Sequence, residues 1–210
     1  RQRQMCIRDS PGTLPVGSDQ WHAARLAIAG SRKEFGDNSS EWEAAVRLRA
    51  RALLAVILTQ GIDWSRLDVG TENRLGQAVE SSWSDIKGAA HTCWQRGIIR
   101  QRQNWKYKYV TPRNLARLVA THLLDAPWSL GKKIREYTPE LRKDLYRRLE
   151  AMEVPGSLLK NLATDELSNM PEVDNPFDLL LDKPPGFLPL QFIAKWQPGP
   201  TARWLRQIIA

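Results

Sequence analysis

Two short helical patterns followed by two short strand patterns, all within 71–110, constrain the fold more than any other feature of the chain. Thr71 predicts the start of the first helix and Ser84 the start of the second, because hydroxyl side chains accept hydrogen bonds from the free N–H groups of a first turn. The second helix has an apolar face whose members recur at helical spacing: Ile86, Ala89, Ala90, Cys93 and Trp94. The two helices and the turn at 81–82 predict a helix-turn-helix pair.

After the second helix the pattern changes from helical to strand periodicity. Residues 98–101 and 105–110 predict two short strands joined around 103–104, since aromatic residues alternate with lysines in the second stretch. A long helix, predicted from Ser40 to Gln60, precedes the helix pair. Long helix, short helix, turn, second helix and β-hairpin, in that order, are typical of a winged helix-turn-helix.

The long helix carries boundary signals and the centre of the predicted core. Ser40 and Glu43 have the spacing of a capping box at its start, and Gly61 is suited to end it. Its second half, 53–58, is apolar on every side, which indicates a helix surrounded by other elements. Four tryptophans are also expected in the core: Trp42, Trp64, Trp83 and Trp94. The predicted fold class is mainly α, with a winged helix-turn-helix, a short β-hairpin wing and following helical segments that allow an α-solenoid interpretation.

Composition and periodicity divide the chain into five parts. Residues 1–18 are expected to be disordered or artefactual, because RQRQMCIRDS resembles translated sequencing adaptor and a Pro/Gly loop follows it. A helical segment with the winged-helix domain is assigned to 19–125, and a helical extension to 126–153. An acidic, Pro-rich and loosely ordered connector is predicted at 154–186. A helical hairpin at 187–210 breaks off inside its amphipathic pattern, so the sequence is interpreted as a fragment cut at both ends.

Composition sets only broad limits on the class of protein. The 210 residues hold one good-sized domain or two small ones, and the formal net charge of +8 raises the expectation of an anionic partner. Cys6 and Cys93 lie far apart and lack metal-type spacing, which predicts a reduced, cytoplasmic protein without disulfides. The longest apolar stretch is too short to cross a bilayer, so no membrane partner is expected.

The sequence lacks the motifs of catalysis and cofactor binding. The GKK phrase at 131–133 has neither the first glycine nor the hydroxyl residue of a P-loop. Nucleophile-elbow, zinc-protease and C-x-x-C motifs are missing as well. The three histidines have no carboxylate or histidine at ligand spacing: His22, His91 and His122. We therefore predict no catalytic residue, metal ligand or cofactor-binding residue in this chain, and we do not expect it to be an enzyme.

A basic window supplies the candidate binding surface. No acidic residue stands between Asp85 and Asp125, and a basic wing beside a recognition-type helix can contact phosphates. The candidate nucleic-acid-binding residues are Lys87, His91, Gln95, Arg100, Arg102, Lys106 and Lys108. On the exposed face of the second helix, only Gln95 is a standard base-reading residue. This favours non-specific phosphate binding or protein packing over recognition of a specific DNA sequence. Alternatively, the charges solubilise the domain or pair with the acidic stretch at 150–182.

Two further features of this window need an explanation. The aromatic row Trp105, Tyr107 and Tyr109 can stack on bases or pack the wing onto the helices, and packing is the more common use. Gly88 lies on the exposed face of the second helix, where glycine costs about 1 kcal/mol relative to alanine. A close neighbour would explain it.

Three stretches carry a family resemblance: ALLAVILTQGIDW (52–64), WQRGIIRQRQ (94–103) and YKYVTPRNLARLVATHLL (107–124). With them, 52–149 resembles the winged-helix region of large bacterial STAND-type, AAA+-related NTPases, many of which are associated with antiviral conflict systems. In that family a hydrophobic helix, a winged helix ending in Tyr-x-x-(Val/Ile)-Thr-Pro-(Arg/Lys), and a helix rich in Leu and Ala follow the nucleotide-binding core. PELRKDLYRRL (139–149) and the terminal hairpin are similar to what comes next.

The resemblance implies a non-catalytic regulatory and interaction segment of a larger NTPase. Its partners would be the NTPase core of the same polypeptide or other protein surfaces, and the winged helix would relay nucleotide state to a helical sensor region. No catalytic residue transfers, because the P-loop and the Mg²⁺-binding strand would lie upstream, so ATP and Mg²⁺ would belong to the parent protein. The Met-His-Asp phrase of some relatives is missing, and no nucleotide contact is assigned to His91 or His122. The alternatives are a free-standing winged-helix DNA-binding regulator and an α-solenoid adaptor.

Overall fold

The structure, a computed structural model, describes six stretches of the chain: 18–36, 38–59, 62–102, 107–124, 139–169 and 190–209. Their helices are α1 (Ser18–Ala29), α2 (Ser39–Leu58), α3 (Val69–Ala78), α4 (Trp83–Gln95), α5 (Arg113–Leu124), α6 (Pro139–Ala151), α7 (Gly156–Leu167), α8 (Leu190–Trp196) and α9 (Pro198–Ile209). Short 3₁₀ turns lie at Arg32–Phe35 and Trp64–Arg66. Two strands, β1 (Ile99–Arg102) and β2 (Tyr107–Val110), form an antiparallel hairpin. The described chain is mainly helical, which confirms the mainly α part of the predicted fold class.

Helix α2 lies at the centre of the fold. Every residue from 52 to 58 is buried, as expected of a helix that is apolar on every side. Helices α1, α4, α5 and α6 and strand β2 all pack against it. Trp42, Trp64 and Trp83 are buried as predicted, whereas Trp94 is half-buried at the edge of the core.

The predicted capping box at the start of α2 is wrong. The N-cap is Asn38, whose side chain accepts a hydrogen bond from the Glu41 N–H at 3.3 Å. Ser40 instead donates its hydroxyl to the Asn38 side chain, and the Glu43 carboxylate pairs with Arg25 of α1. An asparagine ahead of two serines offered an equally good cap, so spacing alone did not identify the first residue. The other predicted boundary, Gly61, lies outside the described residues.

The caps of α3 and α4 also lie before the predicted ones. Asp68, not Thr71, caps α3 and accepts from the Thr71 N–H at 2.9 Å. Ser82, not Ser84, caps α4 and accepts from the Asp85 N–H at 3.1 Å. Both helices therefore gain a full N-terminal cap, and the turn between them is tight.

The hairpin follows α4 with a fixed register. Ile99 pairs with Val110 and Arg102 with Tyr107, and β1 and β2 each differ by one or two residues from the predicted ranges 98–101 and 105–110. Residues 103–106, including the predicted turn, lie outside the described part.

Helix α5 begins one residue later than the sequence predicts, since Thr111 and Pro112 have the pattern of a cap followed by a first helical residue. It starts at Arg113, after a cis Thr111–Pro112 bond, so Pro112 is not the first helical residue. The Pro112 carbonyl accepts from the Leu115 N–H at 3.0 Å, which places the proline in the capping position ahead of the first turn.

The loosely ordered connector predicted at 154–186 is wrong over its first part. Helix α7 occupies Gly156–Leu167 and buries leucines at helical spacing: Leu158, Leu159 and Leu162. The overall acidic composition masked this short apolar face, which is enough to dock a helix. Residues 170–189 lie outside the described part.

The last two helices pack on the preceding ones. Helix α8 contacts α7 and α9, and Phe192 of α8 stacks on Tyr146 of α6 with ring centroids 4.2 Å apart. The predicted second helix of the hairpin begins at Pro198 rather than at Thr201, since proline is compatible with a first helical turn. None of the described helices is long and apolar enough to cross a bilayer.

Candidate interaction surface

Helix α4 presents the polar face that its periodicity predicts. Lys87, His91 and Gln95 are exposed, while the opposite face buries its apolar residues in the core: Ile86, Ala89, Ala90 and Cys93. Both faces follow from one residue every 100° around a helix axis. The predicted apolar face of α4 is confirmed for these four residues, while its fifth predicted member, Trp94, is half-buried.

The polar groups of this face are engaged with neighbours inside the chain. The Lys87 ammonium lies 3.6 Å from the Glu72 carboxylate of α3. His91 and Gln95 are joined side chain to side chain at 3.1 Å, one helical turn apart. These contacts reduce what the exposed face of α4 offers to an anionic ligand.

The hairpin separates its basic residues onto two faces. Arg100 is exposed and lies opposite Tyr109 in the register. Lys108 belongs to the other face, where its ammonium lies 4.7 Å from the centre of the Trp64 ring. Because alternate residues of a strand point to opposite faces, Arg100 and Lys108 cannot contact one flat ligand together.

Lys108 is held by the core side of the hairpin. Burial lowers the pKa of its ammonium, and the nearby Asp63 carboxylate opposes that effect. A half-buried ammonium over an indole ring is stabilised by the electrons of the ring face. The geometry therefore gives Lys108 a packing contact in place of the outward position expected of a phosphate ligand.

The remaining predicted residues are only partly described. Lys106 lies outside the described residues, and of Arg102 only the strand backbone, paired with Tyr107, is described. Of the predicted aromatic row, Trp105 lies outside as well. Just outside the predicted set, Arg96 pairs with Glu34 at 3.3 Å, and Arg113 is exposed at the start of α5.

The described residues contain no cluster of His, Cys, Asp and Glu that could hold a metal ion.

Cys93 is fully buried, and burial raises the pKa of its thiol to about 11. A thiol that keeps its proton inside a core is a poor nucleophile, because the thiolate is the reactive form. An open groove between α3 and α4 is lined by Asn73, Gly76, Gln77, Glu80, Ser81, Ser82 and Trp83.

A second set of polar contacts was missed in the sequence, because its members are far apart. Arg148 of α6 donates from one nitrogen to the carbonyl oxygens of Ile57 at 3.0 Å and Leu58 at 2.7 Å, at the end of α2. Leu141, Leu145 and Leu149 recur at four-residue spacing and indicate the face of α6 that packs. Arg148 stands beside Leu149 on that face. Nothing in the local pattern indicates which helix end Arg148 reaches.

A buried polar cluster joins α6 to α7. Glu166 is 1% exposed, lies 3.4 Å from the Arg142 guanidinium and accepts the Tyr146 hydroxyl. Burial and the Glu166 carboxylate raise the pKa of the Tyr146 phenol well above its usual value. A buried carboxylate with both a cation and a hydroxyl partner holds the two helices in one relative position. Loss of Arg142 would leave a buried charge uncompensated, and loss of the Tyr146 hydroxyl would leave the carboxylate short of a hydrogen bond.

Comparison of the chain with protein-family models, with curated proteins and with solved structures finds no match.

Proposed function

We propose that the chain is a non-catalytic regulatory and interaction segment built around a winged helix-turn-helix, and that it belongs to a larger STAND-like NTPase of bacterial defence. The order α2, α3, α4, β1 and β2 supports the winged-helix assignment, because it is the order of elements in that motif. The NTPase assignment rests on the resemblance of 52–149 to that family.

The observation that carries the regulatory assignment is the use of the basic residues inside the fold. Lys87 is paired with Glu72, Arg96 with Glu34, and Lys108 lies over Trp64. A surface that binds DNA needs cations directed at phosphates, and these three are directed at the protein itself. The segment is better suited to contact protein.

A continuous apolar core supports the same proposal. One cluster of buried side chains extends from α1 through the α2–α5 unit to α6, α7 and α8. A displacement of the C-terminal helices therefore requires rearrangement at α2, because packed interiors do not deform gradually. A relay between two parts of a larger protein needs such a connection.

The reading frame upstream of this segment tests the NTPase assignment. We expect source DNA to encode a P-loop followed by an acidic strand directly before 21. A start codon near 11 with nothing of that kind before it would contradict membership of an NTPase.

An ATPase assay on the purified chain tests the non-catalytic assignment separately. We expect neither ATP hydrolysis nor ATP binding, because the sequence contains no P-loop. Turnover that copurifies with the chain through two unrelated columns would overturn this part of the proposal.

A DNA-binding regulator is the second candidate, and one observation favours it. Arg100 and Arg113 are exposed, and no acidic residue within 86–124 neutralises them. These two residues, unlike Lys108, are placed to contact phosphates. The candidate predicts duplex binding that weakens steeply with salt.

A further inference from the structure

A chain of contacts runs from α6 through the end of α2 to the hairpin and α4. We name its five residues the α2-end cluster: Arg148, Thr59, Trp64, Trp83 and Lys108. They come from four regions of the sequence. Arg148 bonds to the backbone of Ile57 and Leu58, directly before Thr59, and the other links are a hydrogen bond and two ring contacts.

The first link closes the C-terminal end of α2. The last carbonyl groups of a helix have no partners within it, and the aligned peptide dipoles make that end negative. The Arg148 guanidinium meets both needs, with a positive charge and hydrogen bonds to the oxygens of Ile57 and Leu58. Helix α6 thus supplies partners for the last two carbonyls of α2, whereas the C-cap residue Thr59 bonds to the Ala55 carbonyl.

The second link passes through Thr59, which is 1% exposed. Its hydroxyl donates to the Ala55 carbonyl at 2.7 Å and accepts the Trp64 indole N–H, also at 2.7 Å. Trp64 has only that one polar hydrogen, so this bond sets the orientation of its ring. The position of the last turn of α2 therefore determines where the Trp64 ring lies.

The third link consists of two contacts of the Trp64 ring. The ring of Trp83, the first residue of α4, lies 4.8 Å from the Trp64 ring at a tilt of 45°. The Lys108 ammonium of β2 lies over Trp64 on the hairpin side. One indole ring thus supports both the start of the exposed helix and the inner face of the hairpin.

We propose that the α2-end cluster is a coupling device, in which docking of α6 holds the hairpin and the start of α4 in order and release of α6 loosens both. It requires no ligand and does not depend on the parent protein being an NTPase. Coupling between distant sites rests on packed groups with two arrangements that both sites bias, and here the groups are named. The docked arrangement is the one described.

Hydrogen exchange of the full chain, followed by mass spectrometry, tests the proposal. Replacing Arg148 (Arg148→Met) keeps the length of the side chain and removes its charge and donors. We expect amides of 99–102 and 107–110 to exchange about fivefold faster or more, the low end of measured coupling between sites. Lys108 should also become more reactive towards acetylation relative to Lys87, and amides of α1 should be unchanged.

A matched control is available on α9. Arg206 is exposed, so Arg206→Met removes an arginine without removing a cluster contact and should leave hairpin exchange unchanged. A second variant, Thr59→Val, cuts the path beyond Arg148. It should speed exchange in the hairpin while the amides of α6 keep their wild-type rates.

Two results would overturn the coupling. If the hairpin amides of Arg148→Met exchanged at the wild-type rate, Arg148 would act only as a local cap of α2. Equal acceleration in α1, α6 and the hairpin of Thr59→Val would indicate general loosening in place of a directed path. If Arg148→Met fails to fold by circular dichroism, Thr59→Val and the milder Arg148→Lys decide the question by the same criteria.

Discussion

Several arginines close the ends of helices in this protein. Arg49 donates to the Ala29 carbonyl at the end of α1 at 2.9 Å, and Arg51 donates to the Glu80 carbonyl beyond α3 at 2.8 Å. Arg148 does the same for α2. A cation at a helix C-terminus is favourable because of the helix dipole, and the carbonyls there lack other partners. Some of the arginines that contribute to the +8 net charge therefore stabilise the fold. The net charge alone overstates how strongly the protein would bind anions.

The buried thiol of Cys93 makes stability fall at alkaline pH. Its pKa rises from 9.0 to about 11 in the folded protein, so between those values the folded state keeps a proton that the unfolded chain has released. The resulting stabilisation is complete below pH 9 and is lost as pH rises through 11, a change of up to ~3 kcal/mol. Urea unfolding between pH 8 and 11 measures it.

The control for this prediction is Cys93→Ala, with Cys6→Ser in both proteins. The alanine variant should lose less stability over the same pH range, although Tyr146, whose pKa is also raised, leaves a residual slope of the same sign in both. Parallel curves for the two proteins would show that Cys93 does not titrate in this range.

At the scale of elements, caps and turns determine where each helix begins. Asp68 and Ser82 start α3 and α4, and the chain between these helices bends so tightly that a Cβ on Gly76 would lie 2.8 Å from the Ser81 carbonyl oxygen. Gly76 is thus required by a close backbone approach. Gly88, by contrast, has no atom of the described fold within 4 Å of an added Cβ, so the close neighbour expected there is not among the described residues.

The two glycines give a matched pair of alanine substitutions. Gly76→Ala should lower the free energy of unfolding by about 1–3 kcal/mol, because backbone must move to admit the methyl group. Gly88→Ala should raise it by up to ~1 kcal/mol, because alanine is the better helix former. Thermal unfolding of both variants against wild type is the measurement, and a larger loss for Gly88→Ala than for Gly76→Ala would contradict this account of the turn.

At the scale of the whole molecule, hydrophobic periodicity was the sequence signal that predicted the structure most reliably. The apolar stretch 53–58 and the buried face of α4 followed from spacing, because spacing records which face is buried. The alternation in β2 identified a strand but not its inner face, since Lys108 lies on the core side. The first residues of α2, α3 and α4 were missed, since several neighbouring polar residues could serve as caps. Helix α7 was missed because its acidic composition outweighed a short leucine pattern.

The candidate surface was harder to predict than the fold. Charge type is visible in sequence, but the partner of each charge is set by tertiary contacts such as Lys87 with Glu72 and Lys108 with Trp64. The link from Arg148 to the end of α2 spans 90 residues and has no local signal. Contacts of this range depend on how helices pack, and packing is not encoded in any single window.

The most direct test of the claim that the basic residues serve the fold is a titration of duplex DNA with the purified chain, followed by fluorescence anisotropy at low and at physiological salt. The comparison is wild type against Arg100→Glu and against Lys108→Met. We expect only weak binding, without a steep salt slope and unchanged by Arg100→Glu, while Lys108→Met affects stability more than binding. Tight, strongly salt-dependent binding that Arg100→Glu abolishes would contradict this claim and make the protein a DNA-binding regulator.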